Sequence, residues 1–287
     1  MKLHVLICCY NDSLLDVPDI LLPERPDVSY VISHQHSAGY SLPDDADERK
    51  SRVNEMLARP DVVLTSIEGK GVSRNRNNCL MKCFETAADD DVCLIADDDV
   101  RYFKDSFDRV LSAFASNPSA GFIQFRIKTL GSSRQFRRLP YPVNPYRIRK
   151  VAVRGSKYVS SIEMAFRCGS VRSSGIRFNE QFGLGGTVYP EGGEESIFLC
   201  DCLRSGIKAY YVPVEVVEHP YESSGKAPKT IAKARMYLAV AEYVYGSCSY
   251  EALIARLRIV YRKLKRLPVL KNTCSSSMQS FGDCRGQ

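Results

Sequence analysis

Residues 91–100 read DVCLIADDDV, a short apolar run that stops on three consecutive aspartates. An apolar run of this length, bounded by charge, suits a buried strand better than a helix. Side chains alternate along a strand, so Asp97 and Asp99 point to one side and Asp98 to the other. Two carboxylates on one side of a strand's end suit a hard, oxygen-loving cation, and the usual cargo of such a cation is a phosphate. The plainer reading of the same residues is a turn or a helix N-cap. A second triplet, Asp89 to Asp91, precedes the strand and reads as a solvated loop.

The rest of the chain repeats the pattern. Further strands are read at 3–9, 28–33, 61–67, 121–127, 159–166, 207–212 and 214–217. Helices are read from the GKGVSRNRN segment to about residue 88, at 105–116 and at 194–204, and in two segments over 228–267 parted near Gly246. Residues 37–60 look irregular and polar, and 128–158 form a long Pro-, Tyr- and Arg-rich loop. The Ser-rich tail from 272 is expected to be disordered. Strands alternating with helices make this an α/β chain, with a Rossmann-like, mostly parallel sheet covered by helices on both faces. Ligands in such folds sit beyond the carboxyl ends of the strands. The expected division is a nucleotide-binding domain over 1–225, a helical extension over 226–270 and a tail over 271–287.

Charge and cysteine content narrow the partners. The formal charge of +7 favours anions such as sugar nucleotides or anionic lipid surfaces over nucleic acid. No apolar run approaches the ~20 residues that span a bilayer. The opening MKLHVLICCYND reads as a first strand and not as a signal peptide, so a reducing cytosol is expected for the eleven cysteines. Cys79/Cys83 and Cys200/Cys202 lack the two-residue gap of a zinc knuckle, which reads against zinc.

Three further segments carry chemistry. GKGVSRNRN, residues 69–77, places glycines, Ser73, Arg74 and Arg76 at a helix start, where amides and guanidinium forks suit an anion. In GGEESIF, residues 192–198, Glu195 shares a helix face with Phe198, Leu199 and Cys202, and partial desolvation there raises a carboxyl pKa toward that of a general base. Its alternative is a first-turn glutamate facing the helix dipole. His219 follows a strand, and a lone histidine is more often structural than a ligand unless it converges on Asp99.

In their order, VLICCYND, GKGVSRNRN, LIADDD, GGEESIF and VEHP resemble the family 2 glycosyltransferases over roughly residues 3–220. That resemblance implies a GT-A nucleotide-sugar fold. It places Tyr10 and Asn11 in the nucleotide base pocket and Arg76 near the nucleotide or its diphosphate. Asp97, with Asp98 in the same D-x-D segment, falls on the donor, Asp97 touching the ribose or metal. Asp99 holds Mn²⁺ or Mg²⁺, with His219 as a further ligand. Glu195 falls on the catalytic base, usually Asp in the family, and Glu194 on its acceptor-orienting neighbour. The implied activity is an inverting, metal-dependent transfer from a nucleotide-diphosphate sugar, a UDP-sugar first, to a hydroxyl of a glycan or lipid-linked acceptor in surface polysaccharide synthesis. Where many relatives grip the uracil with an acidic residue, this chain has Ser33-His34-Gln35. A retaining transferase, a non-catalytic nucleotide-sugar or glycan binding module and a metal-dependent phosphotransferase or hydrolase are the competing readings.

The helix EALIARLRIVYRKLKRL, residues 251–267, is basic and amphipathic, with Leu253, Leu257, Val260, Leu264 and Leu267 on one stripe. The stripe is expected to pack on the domain. Its alternative is peripheral contact of a cytoplasmic protein with the inner face of the membrane.

Overall fold

A computed structural model describes residues 1–43, 45–131, 140–221 and 230–264. The chain divides into two units, Met1–Ala227 and Pro228–Gln287.

The first unit is built on one eight-stranded sheet. Its strands are β1 (Leu3–Tyr10), β2 (Val28–His36), β3 (Val62–Glu68), β4 (Val92–Asp97), β5 (Phe122–Leu130), β6 (Tyr146–Ile148), β7 (Met164–Arg167) and β8 (Ala209–Pro220). They lie in the order β3-β2-β1-β4-β7-β5-β8-β6. The pairs β1–β2, β1–β4, β2–β3 and β5–β8 are parallel. β7 runs antiparallel to both β4 and β5, and the edge strand β6 antiparallel to β8. Among the described residues, the helices of this unit are α1 (Asp47–Leu57), α2 (Val72–Phe84), α3 (Ser106–Ser116), α4 (Cys168–Ser173) and α5 (Glu194–Arg204). Single 3₁₀ segments follow β1 (Asn11–Asp19) and precede β7 (Ser161–Glu163).

The core follows from the patterning. β1 and β4 are buried almost throughout, as their unbroken apolar runs require of central strands. α3 presents Phe107, Val110 and Phe114 to the sheet at helical spacing, and all three are inaccessible to solvent. Phe107 meets the buried Tyr30 ring edge-on, at 6.1 Å between centroids. Each such phenylalanine contributes roughly 1.5–3 kcal/mol through burial.

Four local readings change. Residues 159–166 do not form one strand: a 3₁₀ turn occupies Ser161–Glu163 and β7 starts only at Met164. The reason is Glu163, fully buried, whose carboxylate accepts from Gln124 Nε2 (2.9 Å), the Ser160 amide (3.1 Å) and the Tyr141 hydroxyl (2.5 Å). The two strands read at 207–217 are one, β8, carrying a bulge opposite β5. Helix α1 lies in a stretch that reads as irregular, because only Val53 and Met56 of its eleven residues are buried. The long loop over 128–158 contains β6, while its residues 132–139 and the tail from 272 lie outside the described residues.

The second unit pairs α6 (Ile231–Tyr245) with α7 (Tyr250–Leu264). Thr230 caps α6, its hydroxyl accepting from the Lys233 amide at 3.0 Å, and Gly246 ends it at φ 89°. Arg256 of α7 bonds Glu242 of α6 at 2.6 Å. Ala252 and Ala255 are the buried residues of α7. Within this unit Leu253, Leu257, Val260 and Leu264 are 45–59% exposed, and Leu267 of the same stripe lies outside the described residues. No helix among the described residues is long and apolar enough to cross a membrane.

Candidate active site

The carboxyl ends of β1 and β4 meet the start of α2 and the start of α5. Asp97 ends β4, and the parallel register places it beside Cys8 of β1. The three aspartates then take three different partners. Asp97 accepts from Arg76 Nη2 at 3.0 Å and from the Ser161 hydroxyl at 3.3 Å. Asp98 turns to the other side and accepts from Ser13, in the 3₁₀ segment after β1. Asp99 pairs with Nε2 of His219 at 3.2 Å. Only Asp97 belongs to the strand; Asp98 and Asp99 lie in the turn that follows it, which is the plainer reading of these residues and not strand alternation.

Backbone pairing sets the Asp99–His219 contact. Two residues beyond Asp99, Arg101 bridges to Glu218 through hydrogen bonds of 2.9 and 2.7 Å. That short antiparallel bridge brings the end of β8 alongside the aspartates. His219 is buried, and its Nδ1 lies 2.6 Å from the Pro220 carbonyl. Burial pulls its pKa down, but the Asp99 hydrogen bond and charge outweigh that and raise it overall. Burial also pushes the Asp98 carboxyl up to about 6, helped by Asp97 and Asp99 and opposed by the Ser13 hydrogen bond.

Arg76 is the brace of the site. It is 3% exposed, and its two terminal nitrogens split between Asp97 and Glu194 Oε1, the latter at 2.9 Å. Its guanidinium lies over the Phe178 ring, 5.5 Å from the centroid. Burial alone would depress its pKa, yet the charges of Asp97, Glu194 and Glu195 raise it. Arg74, by contrast, is exposed.

Glu194 and Glu195 open α5 after Gly192 and Gly193, both at positive φ. Glu194 is buried, and its Oε2 has no hydrogen-bond partner among the described residues. Glu195 Oε2 accepts from the Tyr158 hydroxyl at 3.2 Å. Burial, reinforced by the Glu194 charge and opposed by Arg76, pushes Glu195 up to about 8. A pKa raised toward neutrality is what general-base chemistry asks of a carboxylate.

The glycine-rich passage before α5 is seated on α2 through backbone. The Leu184 carbonyl accepts the Val72 amide (2.9 Å), and the Phe182 carbonyl accepts the Ser73 hydroxyl (2.7 Å). A Cβ on Gly185 would lie 3.2 Å from the Gly71 backbone. A Cβ on Gly183, at φ 98°, would lie 2.7 Å from Val72 and 3.2 Å from the Glu194 carboxyl carbon. The first amide of α2 is therefore occupied by Leu184 and not turned to an anion, as the sequence alone would have it.

Tyr10 and Asn11 stand at the end of β1. Asn11 takes φ 49°, the only positive value at a non-glycine among the described residues. Its side chain bonds Ser37 both ways: Oδ1 accepts the amide (3.0 Å), and Nδ2 donates to the hydroxyl (3.4 Å). Its carbonyl lies 3.1 Å from His34 Nε2. His34, His36 and Tyr40 cluster here, with ring centroids 5.5–6.4 Å apart. Tyr10, at the end of β1, is 37% exposed. Ser13, Tyr158, Ser161 and Phe178 complete the site without any signal in the sequence, because only the fold brings them to it.

No family model and no curated protein sequence matches the chain. Solved structures do. S. aureus TarS residues 1–349 superpose at a TM-score of 0.57 with 14% identity, over 88% of this chain and 68% of that one. The same TarS residues in complex with UDP-GlcNAc give 0.58, again at 14%, over 88% and 69%. TarS in a longer form gives 0.53 at 14% identity, over 93% of this chain and 43% of that one. The fold is of the GT-A type. Within this GT-A sheet, the clustered carboxylates lie at the carboxyl ends of the strands, where open α/β sheets bind ligands.

Proposed function

We propose that the chain is a glycosyltransferase that moves a sugar from a nucleotide-diphosphate donor to a hydroxyl acceptor with inversion. The observation that carries this reading is the convergence of Asp99 with His219 and of Glu195 with Tyr158 around Arg76, at the ligand-binding end of a GT-A sheet. The solved complex of TarS with UDP-GlcNAc makes that sugar nucleotide the first donor to try. Tyr10 and Asn11 would flank its base, beside the histidine cluster.

A divalent cation suits this site. Two cis ligands of an octahedral Mg²⁺ or Mn²⁺, each about 2.1 Å away, lie about 3 Å apart. Asp99 Oδ1 and His219 Nε2 are 3.2 Å apart, which fits that edge. Asp97 accepts one hydrogen bond on each oxygen, which leaves each a further lone pair. When bound, the cation neutralises charge on the departing diphosphate. The acceptor oxygen attacks the anomeric carbon and its proton passes to Glu195. The bond from that carbon to the diphosphate oxygen breaks, and its electron pair leaves with the diphosphate. Glu194, held by Arg76, orients the acceptor.

The test is release of UDP from UDP-GlcNAc with Mn²⁺ across a panel of glycan and lipid-linked acceptors, with the product's anomeric proton read by NMR. Donor binding without release under any condition would identify a binding module on the same fold. A retained anomeric configuration would overturn inversion. Asp99→Ala is expected to weaken donor affinity about 100-fold in Mn²⁺, a loss of about 2.8 kcal/mol. Isothermal titration with and without the metal checks this, and unchanged Mn²⁺ dependence would remove Asp99 from the metal.

The exposed stripe of α7 fits an anionic membrane surface, since Arg256, Arg258 and Lys263 stand exposed on the same helix. Such contact would bring the enzyme to a lipid-linked acceptor on the inner face. The full chain should sediment with phosphatidylglycerol vesicles and not with phosphatidylcholine vesicles, and Leu257→Glu should lower the bound fraction several-fold. Equal sedimentation of both forms would reject the contact.

A further inference from the structure

At the opposite end of the sheet from the aspartates, one histidine and three cysteines from four elements converge. His4 comes from β1, Cys93 from β4, Cys83 from the last turn of α2 and Cys168 from the first position of α4. Parallel pairing sets His4 and Cys93 side by side. The Cys93 sulfur lies 3.7 Å from that of Cys83 and 3.2 Å from that of Cys168. A His4 ring nitrogen and the sulfurs of Cys83 and Cys168 all lie within 4.8 Å of one another. The three cysteines are at most 1% exposed and His4 is 6% exposed.

We propose that His4, Cys83, Cys93 and Cys168 form a structural zinc site. The donor set is the soft three-thiolate, one-imidazole combination that closed tetrahedral zinc takes. Zn–S bonds of about 2.3 Å hold the sulfurs of a tetrahedron about 3.8 Å apart. The Cys83–Cys93 pair already stands at 3.7 Å, and the Cys93–Cys168 pair opens by about half an ångström to match.

The surroundings hold the histidine as zinc histidines are held. Its Nδ1 lies 2.7 Å from the Ser29 hydroxyl and its Nε2 3.2 Å from Asp91 Oδ2. Whichever nitrogen takes the metal, the other keeps an orienting partner. Asp91 is itself fixed by the amides of Lys2 (2.6 Å) and Ala88 (2.9 Å). That gives a role to the first aspartate triplet, whose last member reads from sequence as loop. Arg172 donates to the Phe84 and Ala87 carbonyls (3.1 and 2.8 Å), placing a positive charge beside the cluster. The plainer reading makes each thiol a small hydrophobe, as Cys9 and Cys202 are elsewhere in the core. It gives no reason for three thiols and an oriented imidazole to meet.

Elemental analysis of the full chain, purified without a polyhistidine tag or chelator, should find one zinc per chain. Cobalt added to the reduced, metal-free protein should produce the thiolate-to-cobalt charge-transfer band and the visible bands of a tetrahedral ion. Cys168→Ser should lose the charge-transfer intensity in part, whereas Cys200→Ser, outside the cluster, should keep it. Substoichiometric zinc in the native chain together with no cobalt band in the folded, reduced protein would overturn the site. So would a Cys93–Cys168 disulfide found by mass spectrometry in the freshly isolated chain. These readouts need no activity, so they stand apart from the proposed transfer reaction.

Discussion

Glu195→Gln is expected to lower kcat for sugar transfer by about 10²–10⁴-fold, the range a positioned general base supplies. Glutamine keeps the shape of the side chain and can still meet the Tyr158 hydroxyl, but it cannot take a proton. Donor affinity, set at the other side of the site, should change little. The pH dependence sharpens the test. With its pKa pushed up to about 8, Glu195 is mostly protonated at neutral pH and cannot act as a base. The rate should therefore rise with pH along a limb centred near 8, and that limb should vanish in the glutamine variant. A Glu195→Gln enzyme with full transfer, or one that keeps the alkaline rise, would end the assignment.

The second large effect is on stability. Arg76→Met should cost about 3–5 kcal/mol, because it leaves the carboxylates of Asp97 and Glu194 without their shared cation in a buried site. The methionine also gives up the guanidinium's contact with Phe178. For a unit of this size the loss corresponds to a fall in Tm of roughly 10 °C. Thermal melts followed by circular dichroism measure it. Adding Glu194→Gln should recover part of the loss, since the buried glutamate charge is then gone too. A single variant melting with the parent would show that the brace contributes nothing.

Much of the site could be read before the fold was known, because strand ends announce themselves. The apolar run at 92–96 predicts β4, whereas strand alternation does not reach Asp98 and Asp99, which lie in the turn after it. Helix spacing put Glu195 at the edge of the core. His219 needed a condition, contact with Asp99, and the condition is met. What stayed hidden was whatever depends on chains far apart in sequence. Arg76 reads as an anion ligand, but its partners, Asp97 and Glu194, lie 21 and 118 residues away. Ser161 sits in the stretch that reads as a strand and Tyr158 at the end of the long loop, because no local pattern shows that Glu163 buries its carboxylate. Helix α1 carries too little apolar surface to be seen. The cysteine cluster is the same lesson in another form: spacing along the chain excludes a knuckle, while sheet register and a helix end bring together residues 4, 83, 93 and 168.

The seating of the 183–193 passage on α2 separates two jobs that loops often confound. Its hold on the helix runs through main-chain carbonyls and glycines, whereas Leu184 and Val188 are 47% and 54% exposed. Side-chain identity at those two positions is therefore free to drift while the carboxylates behind them stay in place. Substitutions at 184 and 188 should then leave the seating of the passage, and with it the start of α5, unchanged.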